Sequence, residues 1–275
     1  NCCWIMDGHY RPSKAQRRTR ARRRRSRKKP QFSEADYKIV RELLHQDYSP
    51  EQITGYLRKS KKRVMSHETI YRYIWKDKKQ GGELWHKLRQ SFKRCRKRYK
   101  AYDSRGRLTN KRQIVTRPAT VETRRYFGHW EGDTVRGRSG TKDCIVTLVE
   151  RKTGFVLIGK LPDKTAAALN KKMIELIHRD RKAFKTITLD NGTEFHQYKK
   201  IEEVTKARFY FATPHHSWER GTNENTNGLI RQYLPKGTSM KNLTQSQCDD
   251  IADKLNHRPR KRYGYETPYE RYYNV

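Results

Sequence analysis

The chain has 275 residues, 65 of them Lys or Arg and 29 Asp or Glu, for a formal net charge of +36 at pH 7. Only 33% of residues are hydrophobic, which suits one larger and one smaller core and leaves much of the basic remainder solvated or bound. An excess of one sign on this scale repels itself, which makes a merely solubilising surface a weak reading and points to a phosphate polymer or an anionic membrane; with no apolar run of membrane-spanning length, nucleic acid is the better reading of the two.

The first residue is Asn rather than Met, and the numbering is expected to begin inside a longer chain. The five cysteines, Cys2, Cys3, Cys95, Cys144 and Cys248, are odd in number and lack C-x-x-C spacing, which argues against a disulfide framework or structural zinc and fits a reducing cytoplasm. No secretory signal is visible. Residues 11–29 contain no acidic side chain and Pro30 closes them. Such a block cannot pack on itself, so residues 1–30 read as a basic arm, disordered until it meets a polyanion, with Arg22, Arg23, Arg24 and Arg25 following a DNA backbone or minor groove.

Three helices follow. Ser33 and Asp36 form a capping box ahead of the stripe Ile39, Val40, Leu43, Leu44. Ser49 caps a second helix with Pro50 in its first position, and Ile53 and Leu57 face inward. The basic turn KSKKRVM leads to Ser66 and the helix HETIYRYIWKD. Residues 31–90 thus read as a helix-turn-helix domain; with Ile70, Tyr73 and Ile74 facing the core, Glu68, Thr69 and Arg72 point outward to reach base edges. A plain three-helix bundle docking on the rest of the chain has the same pattern, and the basic turn favours DNA. Trp75 and Trp85 are expected in the core. Residues 91–120 read as a basic linker lying along DNA, with Tyr99 and Tyr102 interleaved.

Residues 121–275 form the large domain. Three strand-like runs with short turns predict an antiparallel meander; a helix (residues 164–180), a strand, a helix (193–206) and a strand (207–211) then add parallel strands. The fold class is α/β, a mixed five-stranded sheet with flanking helices. Asp133 lies in the first strand, and Asp190 follows the apolar run TITL at the turn of Asn191 and Gly192. A further helix, capped near Thr222, puts Glu224, Asn227, Gly228 and Arg231 on one side and Leu229, Ile230, Tyr233 and Leu234 on the other. Glu219 is the rival carboxylate, ranked second because Gly221 separates it from that helix. Asp133, Asp190 and Glu224 together suit two Mg²⁺ ions, which take oxygen ligands and leave room for phosphate and water. Glu131, Asp143 and Glu194 are supporting acids, Asn191 and Asn225 flank the later two, and His215 and His216 have no Cys or His partner at zinc spacing, so they read as loop residues near DNA. The tail after residue 257 is expected to pack along the core with its basic residues solvated.

GHWEGD, TLVER, LDNGTEF and ERGTNENTNGLIRQYLPKG, with NHRPRKRYGYETPYE near the end, resemble the IS-thirty family of bacterial insertion-sequence transposases, which carry an RNase H-like DDE core. The likeness is specific over residues 117–271 and looser before them. It implies Asp133, Asp190 and Glu224 as catalytic and metal-binding acids, with thirty-three residues between the second and third, and a basic residue, Arg231, where many DDE enzymes keep one in contact with DNA. It further implies two Mg²⁺ (Mn²⁺ substituting) and double-stranded DNA, both terminal inverted repeats and target, as substrate. A homodimer or larger assembly on paired ends, a cytoplasmic, nucleoid-associated location and a further helix-turn-helix ahead of residue 1 are expected on the same ground. Two other classes stand beside it: an RNase H-like nuclease or resolvase without strand transfer, and a repressor with an inactive core. A retroviral-type integrase is disfavoured, because its His/Cys zinc module has no counterpart.

Overall fold

The computed structural model describes residues 11–26, 31–89, 111–180, 184–214 and 216–274. Cys2, Cys3, Cys95, Tyr99, Tyr102 and His215, with most of the expected linker, lie outside the described residues. The chain divides into two compact units, residues 1–42 and 43–275.

In the first unit Pro12–Arg25 is a helix, α1, with Pro in its opening turn and no buried residue. This corrects the expected disordered arm. Arg, Lys, Gln and Ala are strong helix formers, Pro suits the first helical position, and Arg22 to Arg25 meet the negative end of the helix dipole. Helix α2, Glu34–His45, opens with the Ser33–Asp36 box (2.8 and 3.3 Å), and the second unit begins within it.

The second unit continues with α3, Pro50–Lys59, capped by the reciprocal Ser49–Gln52 box, and α4, His67–Lys79, capped by Ser66. Ile53, Leu57, Met65, Ile70, Ile74 and Leu84 are buried. Trp75, expected in the core, is 46% exposed. Ile70 and Ile74 already fill the inner stripe of α4, and Trp75 stands about 100° round from Ile74, where Lys78 lies over its ring and that of Trp85. Helix α3 is joined to the chain's end: Gln52 Nε2 donates to the Pro259 carbonyl (2.7 Å), Tyr48 to the His257 carbonyl (3.1 Å), and Lys59 pairs with Glu270 (3.1 Å). Gly55 lies against the Tyr265 ring, leaving no room for a Cβ. The tail also departs from expectation. Arg258 is fully buried, donating to Gln232 Oε1 (3.0 Å) and the Tyr233 hydroxyl, 3.7 Å from Asp47. A planar guanidinium with this many acceptors tolerates burial that a lysine would not.

The sheet is built from β1 (His129–Arg136), β2 (Cys144–Glu150), β3 (Val156–Leu161), β4 (Thr186–Leu189) and β5 (Arg208–Phe211), in the order β3-β2-β1-β4-β5. The first three are antiparallel; β4 and β5 run parallel to β1, reached through α5 (Ala166–Arg179) and α6 (Tyr198–Thr205). The helix expected over residues 193–206 is split into a 3-10 turn, Thr193–Phe195, and α6. One face carries Trp130, Leu148, Ile187 and Leu189 under α5 and α6; the other carries Val135, Ile145, Val149 and Ile158 under α7 (Gly221–Ile230) and α8 (Gln245–Asn256). This strand order and these crossovers are the RNase H-like layout. The α8 side chains cover the open edge of β3: Asn256 bonds both backbone groups of Val156 (2.8 and 3.0 Å), and Gln245 bonds Lys160 N and the Ile158 carbonyl (both 2.9 Å). A last helix, α9 (Pro268–Tyr273), buries Tyr272 against Phe155, rings 4.0 Å apart. Cys144 and Cys248 are free and buried. No helix among the described residues is long and apolar enough to cross a membrane.

Candidate active site

Strand pairing brings two of the three acids together. Glu131 of β1 sits opposite Thr188 of β4 in parallel register, so two residues further on Asp133 runs beside Asp190, the first residue past β4. Asp190 is fixed by its turn, accepting from Gly192 N (3.0 Å). A Cβ at Gly192 would stand 2.5 Å from Glu194 Oε2, so a larger residue here would have to displace that carboxylate. Arg220 spans the pair, 3.6 Å from Asp133 Oδ1 and 3.8 Å from Asp190 Oδ2.

Helix α7 supplies the third acid. Its first residue is Gly221, preceded by a 3-10 turn, Ser217–Arg220, and no side chain at Arg220 caps it. Thr222, expected as the cap, lies buried inside the first turn. The cap comes instead from β1: Glu131, fully buried, accepts from Asn223 N (2.9 Å). Glu131 is 3.4 Å from Arg151, which donates to Glu122 (2.9 Å), and Glu122 pairs with Arg117. Arg117, expected to close a solvated linker, is therefore buried, also donating to Thr188 of β4 (2.6 Å). This run of alternating charges joins β1, β4 and the start of α7.

Asp133 accepts from Thr134 N (2.9 Å) and from Asn227 Nδ2 of α7 (2.8 Å). A cavity of about 440 Å³ opens beside it, lined by Asp133, Arg220, Glu224, Asn227, Arg231 and Lys236 among others. Glu224 is exposed on its wall. Arg231 donates to the Arg136 carbonyl (2.9 Å) and the Leu234 carbonyl (3.3 Å), so it holds the end of α7 while facing the cavity. Burial, with Asp190 alongside, pushes the Asp133 carboxyl up to about 6 even though Arg220 opposes the shift. Behind the sheet, Glu194 is buried, but Lys164 (2.7 Å) and Thr134 (2.7 Å) hold it below the usual range. Among the described residues no three His, Cys, Asp or Glu side chains already stand as a metal-holding group.

The other candidates fall elsewhere. Glu219 is committed to its loop, accepting from Thr213 N (2.7 Å) and the Thr213 hydroxyl (3.0 Å). Asn191 ties the Asp190 turn to β5 through the Ala212 carbonyl (2.7 Å), and Asn225 is exposed. Arg22 to Arg25 end α1. Glu68 and Arg72 are exposed on α4, 3.8 Å apart, whereas Thr69 is half-buried with its hydroxyl against Ser66 (2.9 Å) and does not share their outward face. Sequence reasoning passed over Arg220 and did not rank Asn227 as a site residue. Asn227 had a signal, one turn beyond Glu224 on the polar side; Arg220, in an irregular turn, had none. A larger hollow of about 650 Å³ between β3, α8 and α9 has its charges paired, Arg179 with Asp249 (2.9 Å) and Tyr272 with Asp180 (2.6 Å).

No family model matches the chain. Among curated proteins it is 41% identical over 273 residues to the transposase for insertion sequence element IS4351 of Bacteroides fragilis, covering 99% of this chain and 83% of that one. It is 37% identical over 244 residues to transposase InsI for insertion sequence element IS30A of Escherichia coli, covering 85% of this chain and 63% of that one. Among solved structures it is similar to the catalytic core domain of BIV integrase, at 21% identity and a TM-score of 0.42, over 54% of this chain and 94% of that one.

Proposed function

The chain belongs to the IS30 family of insertion-sequence transposases, and from that premise we propose that Asp133, Asp190 and Glu224 are the acids with which it cleaves and joins DNA. It is a DNA transposase, an enzyme of strand cleavage and strand transfer. The observation that carries the assignment is the side-by-side pair Asp133 and Asp190, on a strand and a strand end, with Glu224 on the helix wall of the cavity that Asp133 lines.

The donor set fits divalent ions. All three groups offer carboxylate oxygen, which suits hard cations such as Mg²⁺ or Mn²⁺, and the raised Asp133 carboxyl marks a half-buried charge that a single guanidinium under-compensates. When bound, a pair of such ions supplies Lewis acidity for an in-line displacement at phosphorus, first with water and then with the freed 3′-hydroxyl as attacking group. The chain's own residues do the rest. Asn227 and Thr134 N fix the Asp133 carboxylate, Glu131 fixes the start of the Glu224 helix, and Arg220, Arg231 and Lys236 make the cavity attractive to a phosphate backbone. The basic α1 and the exposed face of α4 supply DNA contacts beyond the site, and the terminal inverted repeats are the specific substrate. Joining two ends calls for at least two copies on paired DNA.

The test is a labelled duplex carrying the terminal repeat that flanks the protein's own gene, incubated with Mg²⁺, with nicks and joins mapped. Nicking at the repeat end followed by joined products is expected. Cleavage without joining assigns a nuclease instead, and binding without divalent-dependent chemistry assigns a repressor.

A further inference from the structure

Two residues before Arg220 stands Trp218, 68% exposed. The His216 ring lies on the indole, centroids 4.3 Å apart and planes 24° apart. The segment carrying them is pinned on both sides. Glu219 holds Thr213 through two hydrogen bonds (2.7 and 3.0 Å) and lies 3.5 Å from His216 Nδ1. Arg220 donates to the Gly132 carbonyl (3.4 Å) and spans Asp133 and Asp190 at 3.6 and 3.8 Å.

An indole held in water at a fixed place gains nothing inside the chain from its exposed face. It stands two residues before the guanidinium that spans the two aspartates, so a DNA strand held against that pair lies within its reach. Arg220 adds a second sign: it lines the cavity beside Asp133, and a guanidinium there is a charge-assisted donor suited to a phosphate oxygen. A flat aromatic face and a guanidinium two residues apart match one nucleotide, base and phosphate. The base must be unpaired to present its face, and stacking of this kind is indifferent to sequence.

We propose that His216, Trp218 and Arg220 form a subsite for a single nucleotide unpaired from the duplex beside the scissile phosphate. The stacked rings take the base and the guanidinium takes the phosphate. This rests on the transposase reading of the neighbouring carboxylates and adds to it a reason for the duplex to open at the cut.

The experiment is a cycle between protein and DNA. Affinity for the terminal-repeat duplex is measured without divalent ion, with an abasic residue moved one position at a time across the nucleotides around the cut. Trp218→Ala is expected to weaken binding about tenfold, the scale of one lost base stack. One abasic position should weaken wild type by a similar factor, and the two changes together should weaken it no further. Trp218→Phe, which keeps an aromatic face and the fold, should retain most of the affinity. Losses that add at every position, or Trp218→Ala binding as wild type, overturn the subsite. Cleavage of the intact duplex by wild type with Mg²⁺ is measured in parallel. Cleavage with an additive cycle overturns the subsite alone, whereas no cleavage overturns the transposase reading and the subsite with it.

Discussion

At the scale of residues, Asp133 is held from two directions, by its own strand through Thr134 N and by α7 through Asn227. Removing the Asn227 amide frees a carboxylate oxygen without opening the core, because Asn227 is only half-buried. Asn227→Ala is therefore expected to raise the divalent concentration needed for half-maximal cleavage about tenfold, the usual cost of losing a partner that orients a metal ligand. Titrating cleavage against Mn²⁺, beside a melting curve that stays within a few degrees of wild type, checks it. Asp133 and Asp190 were legible in the sequence because each ends or interrupts an apolar run, where a charge is costly without a purpose. Arg220 was not. Its place follows from a 3-10 turn that packs beside two strands distant in sequence, and no periodicity encodes that.

At the scale of elements, β1 carries two titrating groups with opposite effects, His129 buried and Asp133 half-buried. His129, beside Thr186 (2.8 Å), is pushed down to about 4, first by burial and then by nearby cations, while Asp133 is pushed up to about 6. For His129 the folded pKa lies below the unfolded one, so stability is lost as pH falls from about 6.5 towards 4. For Asp133 the folded pKa lies above the unfolded one, so stability is lost as pH rises from about 4 through 6. Each displacement corresponds to about 3 kcal/mol, and the two offset each other across one window. Single substitutions unmask them. In divalent-free buffer, Asp133→Asn should be more stable than wild type at pH 7.5 and lose that advantage by pH 4, while His129→Gln should gain on wild type over the same fall. Denaturant melts at both pH values check this, and an Asp133→Asn advantage unchanged by pH would contradict it. Element boundaries were legible where a local cap set them, as at Ser49 and Ser66. At α7 the expected cap at Thr222 failed because the acceptor comes from Glu131, ninety-two residues earlier and in another element.

At the scale of the whole molecule, the order of strands and helices after residue 121 was legible, because short turns force antiparallel neighbours and helix-length connections force parallel ones. Burial of charge was not. Arg117, Arg151 and Arg258 are inside, each with acceptors supplied by remote segments, in a chain whose composition suggested that such residues stay in water. The remaining positive charge is expected to set DNA affinity. Helix α1 carries seven Arg and one Lys and buries none of them, so its removal should leave the rest folded. Deleting it should reduce the slope of log affinity against log salt by several units, up to roughly 7 if all eight side chains reach phosphates. A salt titration with and without residues 11–26 reads that directly, and an unchanged slope would remove α1 from the interface.

The central claim is that three carboxylates act as one catalytic set. Its sharpest test measures divalent-dependent strand cleavage of a terminal-repeat duplex, and affinity for the same duplex, for Asp133→Asn, Asp190→Asn, Glu224→Gln and the triple variant. The account predicts that every variant binds DNA within about threefold of wild type, since each substitution removes a negative charge and no phosphate contact, and that each cuts at background. A triple variant that still nicks DNA with Mg²⁺ would contradict it.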